Sequence, residues 1–289
     1  MATRTTEPSG LLLVDKPAGI TSHDVVSVAR RALKTRRVGH AGTLDPFATG
    51  LLVILFGRGT RLISYVPGEP KVYEATIRLG AETETDDRTG AITRTADLPS
   101  DERIAAAVAL LTGNILQTPP AYSAKQVDGT RAYAAARKGM PLDLPAVPVT
   151  VHSWSLAARE GGLLQARIVC GSGTYIRALA RDLGRLAGSA AHLDELRRTD
   201  VGPFSVKDAV TVEDLRRDTF SAQPLPAAVP DLPVRELTAD ELRRVLHGNS
   251  ILARNEGGRA ALLDAEGNLV SIADLENGEL LPKLVLRDA

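Results

Sequence analysis

The sequence holds a single cysteine, Cys170, among 289 residues. An internal disulfide is therefore excluded, and a zinc site built on several thiolates has no ligands to draw on. Its five histidines show no H-x-x-x-H spacing and no cluster with acidic residues, so nothing suggests another kind of metal site, and no cofactor is expected. No run approaches the ~18 apolar residues of a membrane span. The opening MATRTTEPSG has no apolar centre of the kind a secretory signal needs. These absences together lead us to expect a soluble protein of a reducing compartment, the cytoplasm.

Net charge is also missing. The 35 basic and 35 acidic side chains cancel, so composition alone gives no hint of a polyanionic partner. The distribution is uneven: Arg30, Arg31, Lys34, Arg36 and Arg37 fall together without an acid, whereas Glu82, Glu84, Asp86, Asp87, Asp97, Asp101 and Glu102 gather further on. One basic face on a neutral whole suits phosphate binding. On charge alone, a solvated helix end fits the basic run equally well. What is plentiful is ordinary globular material, 44% hydrophobic and 24% charged, enough to bury a core in one large domain with room for a small companion.

The densest chemistry lies in Gly39 to Leu52, GHAGTLDPFATGLL. Three glycines, a proline and one carboxylate, Asp45, stand between the basic run and the apolar segment Leu51 to Phe56. Pro46 pushes Asp45 out of helical conformations, and the glycines let a ligand approach the main chain. Taken alone, Leu-Asp-Pro is also an ordinary turn.

In chain order, Gly10 to Val14 reads as a strand, and Thr21-Ser22 supplies N-caps for a helix of the VVSVARRALK type. Arg58 and Arg61, in the turn that follows Phe56, either face phosphates or cap. KVYEATIRLG alternates as a strand with Tyr73, Ala75, Ile77 and Leu79 on its apolar face, where Tyr73 by itself reads as a core residue. The polar, acidic AETETDDRTGAI ends in a turn, and a helix capped by Ser100 follows, stopped at Gly113. Residues 147 to 157 and Leu163 to Val169 form a hairpin about Gly161-Gly162. After it the chain turns to helix, with Ser172 or Thr174 as cap and Tyr175 and Arg177 at its start. Asp218 to Pro233 is rich in alanine and proline and reads as a linker. Beyond it, Thr238 and Glu241 make a capping box, Gly248 stops the helix, and three strands complete a small β-rich module.

GHAGTLDPFATGLL resembles the catalytic motif of the TruB family of tRNA pseudouridine synthases. The likeness extends through DKPAGITS (Asp15 to Ser22), KVYEA (Lys71 to Ala75), PPAYSAKQVDGTRAYAAARKG (Pro119 to Gly139), GTYIRALARDLG (Gly173 to Gly184) and LRRTDVGPF (Leu196 to Phe204). It covers about residues 10 to 210 in matching order. The resemblance implies that Asp45 is the essential catalytic residue and that Arg177 pairs with it. It implies that Tyr73 stacks on the target base, that His40 contacts the RNA and that Leu196 lies near the base; His40 is placed to fill the space the base vacates, with a general base as its competing role. Tyr175 accompanies Arg177 as a substrate-binding residue, and Lys16 supports the loop.

The implied fold is α+β: a mixed, mainly antiparallel sheet flanked by helices in a catalytic domain at 10–217. Within it, an insertion at about 117–147 acts as a thumb over RNA, with Lys125, Arg131, Arg137 and Lys138 as its basic side chains and a helix around Tyr133 to Lys138. A linker at 218–233 and a PUA-like RNA-binding domain at 234–289 complete the chain. The expected activity is isomerisation of uridine 55 in the TΨC arm of tRNA, with the base flipped out of its stack and no cofactor. The short N-terminus and the lack of lysine-rich tails favour the standalone type over the guide-dependent one, and a monomer without guide RNA or obligate protein partner is expected. Two further classes would make different demands on the sequence. A non-catalytic RNA-binding protein would not need Asp45, and a glycoside or nucleoside hydrolase would want a second positioned carboxylate, which GTLDP does not offer.

Overall fold

The structure is a computed structural model that describes residues 7–123, 126–127, 130–131, 135, 140 and 142–286. It divides into two compact units, one built from Met1–Asp45, Leu51–Pro67 and Pro203–Ala289, the other from Pro46–Gly50 and Gly68–Gly202. The side chains of Lys125, Arg131, Arg137 and Lys138, and the helix expected around them, lie outside the described residues.

In the first unit the apolar runs become strands Gly10–Lys16 and Thr49–Phe56, the latter lying mostly within this unit. Neither run alternates, and Leu11 to Val14 and Leu51 to Phe56 are all buried, as expected of strands covered on both faces. Val38–Ala41 runs antiparallel to the second strand, from Val38 opposite Phe56 to Ala41 opposite Val53. Val14 and Asp15 pair in parallel with Val210 and Thr211.

One face is covered by helix Ser22–Ala32 and the short helix Val212–Arg217, packing Val25, Val26, Ala29, Val212 and Leu215 on Leu12, Val14, Leu52, Ile54 and Phe56. Each of these side chains larger than alanine contributes roughly 1.5–3 kcal/mol on burial. The long helix begins where the sequence indicates. Thr21 accepts from the Asp24 N–H at 3.0 Å, and the Asp24 carboxylate accepts from the Thr21 N–H at 2.8 Å. It ends at Ala32 with Leu33 as C-cap, and Lys34 just beyond takes a left-handed backbone with φ of 52°.

The proline-rich segment after the short helix is held by the strand it passes. Leu11 and Gln223 exchange backbone hydrogen bonds of 2.9 and 2.8 Å, and Ala228 and Val229 are buried. The C-terminal module follows as a five-stranded sheet in the order Val234–Glu236, Arg259–Leu263, Leu269–Glu276, Glu279–Val285, Ile251–Leu252. Helix Ala239–Leu246, opened by the Thr238–Glu241 capping box, packs Val245 on Ala260, Leu262, Val270 and Leu280. Arg58 and Arg61 donate to the carbonyls of Leu286 at 2.9 Å and Val285 at 2.6 Å. The Arg259 guanidinium sits 5.0 Å from the Tyr65 ring centroid.

The second unit is an antiparallel sheet in the order Ala191–Val201, Lys71–Leu79, Leu163–Cys170, Val147–Glu160, Gly113–Gln117. Thr49 and Gly50 add parallel pairing with Arg197 and Arg198, so the sheet is mixed and mainly antiparallel, and the fold is α+β. Two close approaches require glycine. A Cβ on Gly50, where φ is 103°, would lie 2.2 Å from the Arg198 carbonyl oxygen; one on Gly184, in helix Ile176–Leu186, would lie 2.4 Å from the Ala191 nitrogen. Helix Asp101–Leu110, capped by Ser100, completes the unit. Gly113 opens a strand rather than merely closing this helix, and Ala191–Val201 is a strand the sequence reading did not foresee. Among the described residues no helix is long and apolar enough to cross a membrane.

Candidate active site

Three of the expected residues lie in the first unit. His40 stands on Val38–Ala41, half-buried and paired across the strands with Ile54. Asp45, also half-buried, follows a residue that is pinned from both sides: the Leu44 N–H donates to Ser22 Oγ at 2.9 Å, and that hydroxyl donates back to the Leu44 carbonyl at 3.0 Å. Ser22 is the first residue of its helix, so the aspartate loop is registered to a helix head. The sequence offered Ser22 as a second N-cap; Thr21 takes that task alone and leaves the Ser22 hydroxyl for the loop.

Lys16 is fully buried, and its ammonium donates to the carbonyls of Pro17 at 2.9 Å and Ile20 at 2.8 Å. A buried ammonium is tolerated only with such partners. Its charge is satisfied inside the turn that leads to Thr21 and Ser22.

Four expected residues lie in the second unit. Tyr73 is buried on the apolar face of its strand, as the alternation indicates, directly across from Ile168 and Arg198. Leu196 is buried on that same face, opposite Ala75, and its carbonyl accepts from Thr49 Oγ1 at 3.4 Å. Tyr175 and Arg177 sit at the head of helix Ile176–Leu186. Neither expected cap serves there: the N-cap is Tyr175, without a capping bond from its side chain, and the Ser172 hydroxyl instead accepts from Lys71 Nζ at 3.1 Å.

Arg177, Arg181 and Arg185 recur every fourth residue and so share one helix face. That face meets the acidic segment that the sequence presented as a polar turn. Arg177 lies 3.6 Å from the Asp87 carboxylate and donates to the carbonyls of Thr85 and Tyr122, each at 3.0 Å. Arg181 donates to Asp86 at 2.9 Å, and Arg185 to Glu82 at 2.8 Å. Glu82, Asp86, Asp87, Arg177 and Arg181 are all buried, so these are charges taken out of water and matched, not a solvated acidic loop.

Asp87 is held in turn by Thr85 Oγ1 at 2.7 Å and the Thr89 N–H at 2.9 Å. Burial pushes the Asp86 carboxyl above its ordinary range against the pull of Arg181. At Glu82 burial acts the same way, but hydrogen bonds from Arg185 and Arg94 outweigh it and hold the carboxyl low. Sequence reasoning missed Asp86, Asp87 and Glu82 as partners. The available signal was the four-residue spacing of the arginines, which demands acids from elsewhere.

A guanidinium fixed on three sides can orient and stabilise an anion. An aspartate in a pinned, glycine-flanked loop can act as nucleophile or base, and a tyrosine on a rigid strand can stack on a planar ring. Fold likeness defines the class. A chain of a Cbf5-Nop10-Gar1 complex aligns with a TM-score of 0.71 at 25% identity, over 96% of this chain and 85% of that one, which makes the fold that of the pseudouridine synthases.

The sequence comparisons are narrower. Residues 30–176 match the model described as TruB family pseudouridylate synthase (N terminal domain), and residues 177–248 match tRNA pseudouridylate synthase B C-terminal domain. Identity is 46% over 287 residues with tRNA pseudouridine synthase B of Thermobifida fusca, covering 96% of this chain and 98% of that one. With the protein of the same description from Corynebacterium efficiens it is 46% over 286 residues, covering 96% of each. The chain belongs to the TruB family of tRNA pseudouridine synthases, which are isomerases.

Proposed function

We propose that this protein is a standalone enzyme of the cytoplasm that converts uridine 55 in the TΨC arm of tRNA to pseudouridine, with Asp45 as the essential catalytic residue. The reaction breaks the bond between ribose C1′ and uracil N1, turns the detached base, and joins C1′ to C5; the C5 proton leaves and N1 regains one. Atoms and electrons balance without an oxidant or an energy source. The Asp45 carboxylate serves the reaction either by forming a covalent adduct or by taking a proton from the ribose.

The remaining roles follow the chemistry. The target base leaves its stack at a cost of a few kcal/mol, and Tyr73 offers the face that receives it, with Leu196 on the same sheet face. His40 fills the space left in the RNA. Arg177, with Tyr175 beside it, pairs with Asp45 and keeps the carboxylate ionised and oriented. Residues 10–217 form the catalytic domain, with the thumb at about 117–147; 218–233 connect it to a PUA-like module at 234–289 that contacts RNA. No guide RNA and no protein partner are required, and the enzyme works as a monomer.

The observation that carries this reading is the pinned loop: the family's aspartate stands next to a residue held in register by two hydrogen bonds from a helix head. The test is to incubate purified protein with an unmodified tRNA transcript and no added RNA, then map pseudouridine. Product at position 55 that disappears in Asp45→Asn, while tRNA binding persists, is the expected result. No product at that position, or product only when a guide RNA is supplied, refutes it.

A further inference from the structure

Helix Ile176–Leu186 begins without a local cap, because the Tyr175 side chain makes no capping bond. The missing partner comes from 58 residues earlier in the chain. Gln117, the last residue of strand Gly113–Gln117, is fully buried; its Oε1 accepts from the Tyr175 N–H at 2.8 Å, and its Nε2 donates to the Tyr175 carbonyl at 3.1 Å. That carbonyl also receives the first intrahelical bond, from the Leu179 N–H at 3.1 Å. A carboxamide presents a donor and an acceptor on separate atoms, so it grips both polar groups of one residue. A single contact would let the backbone swing about it; two fix its tilt.

The residues after Gln117 extend the grip. The Thr118 carbonyl accepts from Arg181 at 2.9 Å and the Tyr122 carbonyl from Arg177 at 3.0 Å. Between them Pro119 and Pro120 are buried, and proline has a fixed φ and no N–H to compete for those acceptors. The stretch from Gln117 to Tyr122 thus lies across the head of the helix as a stiff strap, and the Gln117 side chain is its hold on the Tyr175 backbone.

We propose that Gln117 is a positioning residue for pseudouridine formation: its carboxamide fixes the Tyr175 backbone and thereby the directions in which the Tyr175 ring and the Arg177 guanidinium meet the target nucleotide. The assignment rests on the roles proposed above for Tyr175 and Arg177. It goes beyond them because Gln117 itself touches neither substrate nor reacting atom. Displacing a catalytic group by about 1 Å costs up to ~100-fold in rate, so the consequence is kinetic rather than one of affinity.

The experiment compares Gln117→Leu, which keeps the bulk and loses both bonds, with Gln117→Glu, which keeps the acceptor and loses the donor. Ile104→Val, a buried change elsewhere in the same unit, is the control. Single-turnover rates on unmodified tRNA are measured per folded molecule, alongside tRNA affinity and thermal melting. The expected outcome is a rate lowered on the order of tenfold or more in Gln117→Leu and less in Gln117→Glu, with affinity within about twofold of wild type. Ile104→Val should melt earlier and react at the wild-type rate.

Wild-type rates per folded molecule in Gln117→Leu overturn the proposal, as does a loss of affinity with the rate preserved. Should Gln117→Leu fail to fold, Gln117→Glu decides, and a full rate there is equally fatal. Failure of the functional reading looks different, since the wild-type protein would then form no pseudouridine at all. A wild-type enzyme inactivated by Arg177→Ala yet indifferent to Gln117 would sink this inference alone.

Discussion

Replacing Ser22 by alanine removes one oxygen and tests the link between the helix head and the aspartate loop. That oxygen accepts from the Leu44 N–H at 2.9 Å and donates to the Leu44 carbonyl at 3.0 Å, in a place where Ser22 and Leu44 are both buried. Its loss leaves the Leu44 backbone groups without this partner and with little access to water, and one buried unsatisfied group costs about 1–3 kcal/mol. A domain with ~5–15 kcal/mol of stability remains folded after that loss. For a chain of this size, melting should drop by roughly 2–4 °C per kcal/mol.

Turnover should suffer more than stability, because Asp45 is the next residue and loses its registration. The assay is the initial rate of pseudouridine formation at saturating tRNA, read beside a melting curve for each variant. Ser22→Thr, which keeps the hydroxyl, should recover much of the rate. A Ser22→Ala enzyme that melts early but turns over within about twofold of wild type would refute the coupling of this hydroxyl to catalysis.

Other outcomes follow from the same geometry. Arg177→Ala should lose most turnover, with tRNA affinity little changed, and full activity in that variant would remove its proposed pairing with Asp45. Glu82→Gln probes linkage to pH: the Glu82 carboxyl is held low in the folded state, so its contribution is complete above the unfolded pKa and fades as pH falls through the folded one. The melting-temperature gap between wild type and Glu82→Gln should therefore be widest near neutral pH and close in acid; a constant gap contradicts the assignment. Arg58→Ala combined with Arg61→Ala removes two bonds to the end of strand Glu279–Val285, at about 1 kcal/mol each. Amide exchange in that strand should accelerate, and unchanged protection would show that the two arginines do not hold it.

Local chemistry explains what was legible beforehand. The Thr21 cap, the alternation of Lys71–Leu79, the Gly161-Gly162 hairpin and the Thr238 capping box all act within a few residues, and each appears where the sequence puts it. The glycine-flanked loop around Asp45 was legible for the same reason. Ala191–Val201 was not, because HLDELRRTD looks like a polar surface segment. Asp194 and Glu195 find their partners in Arg78 and Arg88, far off in sequence, and Arg198 in its middle is almost wholly buried.

The partners of the arginine face were hidden likewise. Arg177 and Asp87 are ninety positions apart, and nothing near either one announces the other. Gln117 was the least visible of all, since a glutamine at the end of a short strand carries no local mark of capping a helix elsewhere.

The backbone bonds between Leu11 and Gln223 bear on a common kind of experiment. Cutting the chain after the Val212–Arg217 helix, to ask what the C-terminal module adds, would also strip this flank from strand Gly10–Lys16. Bared strand flanks pair readily with other molecules. A shortened protein of that kind would be prone to clump, and weak activity in it would report on self-association before it reported on RNA.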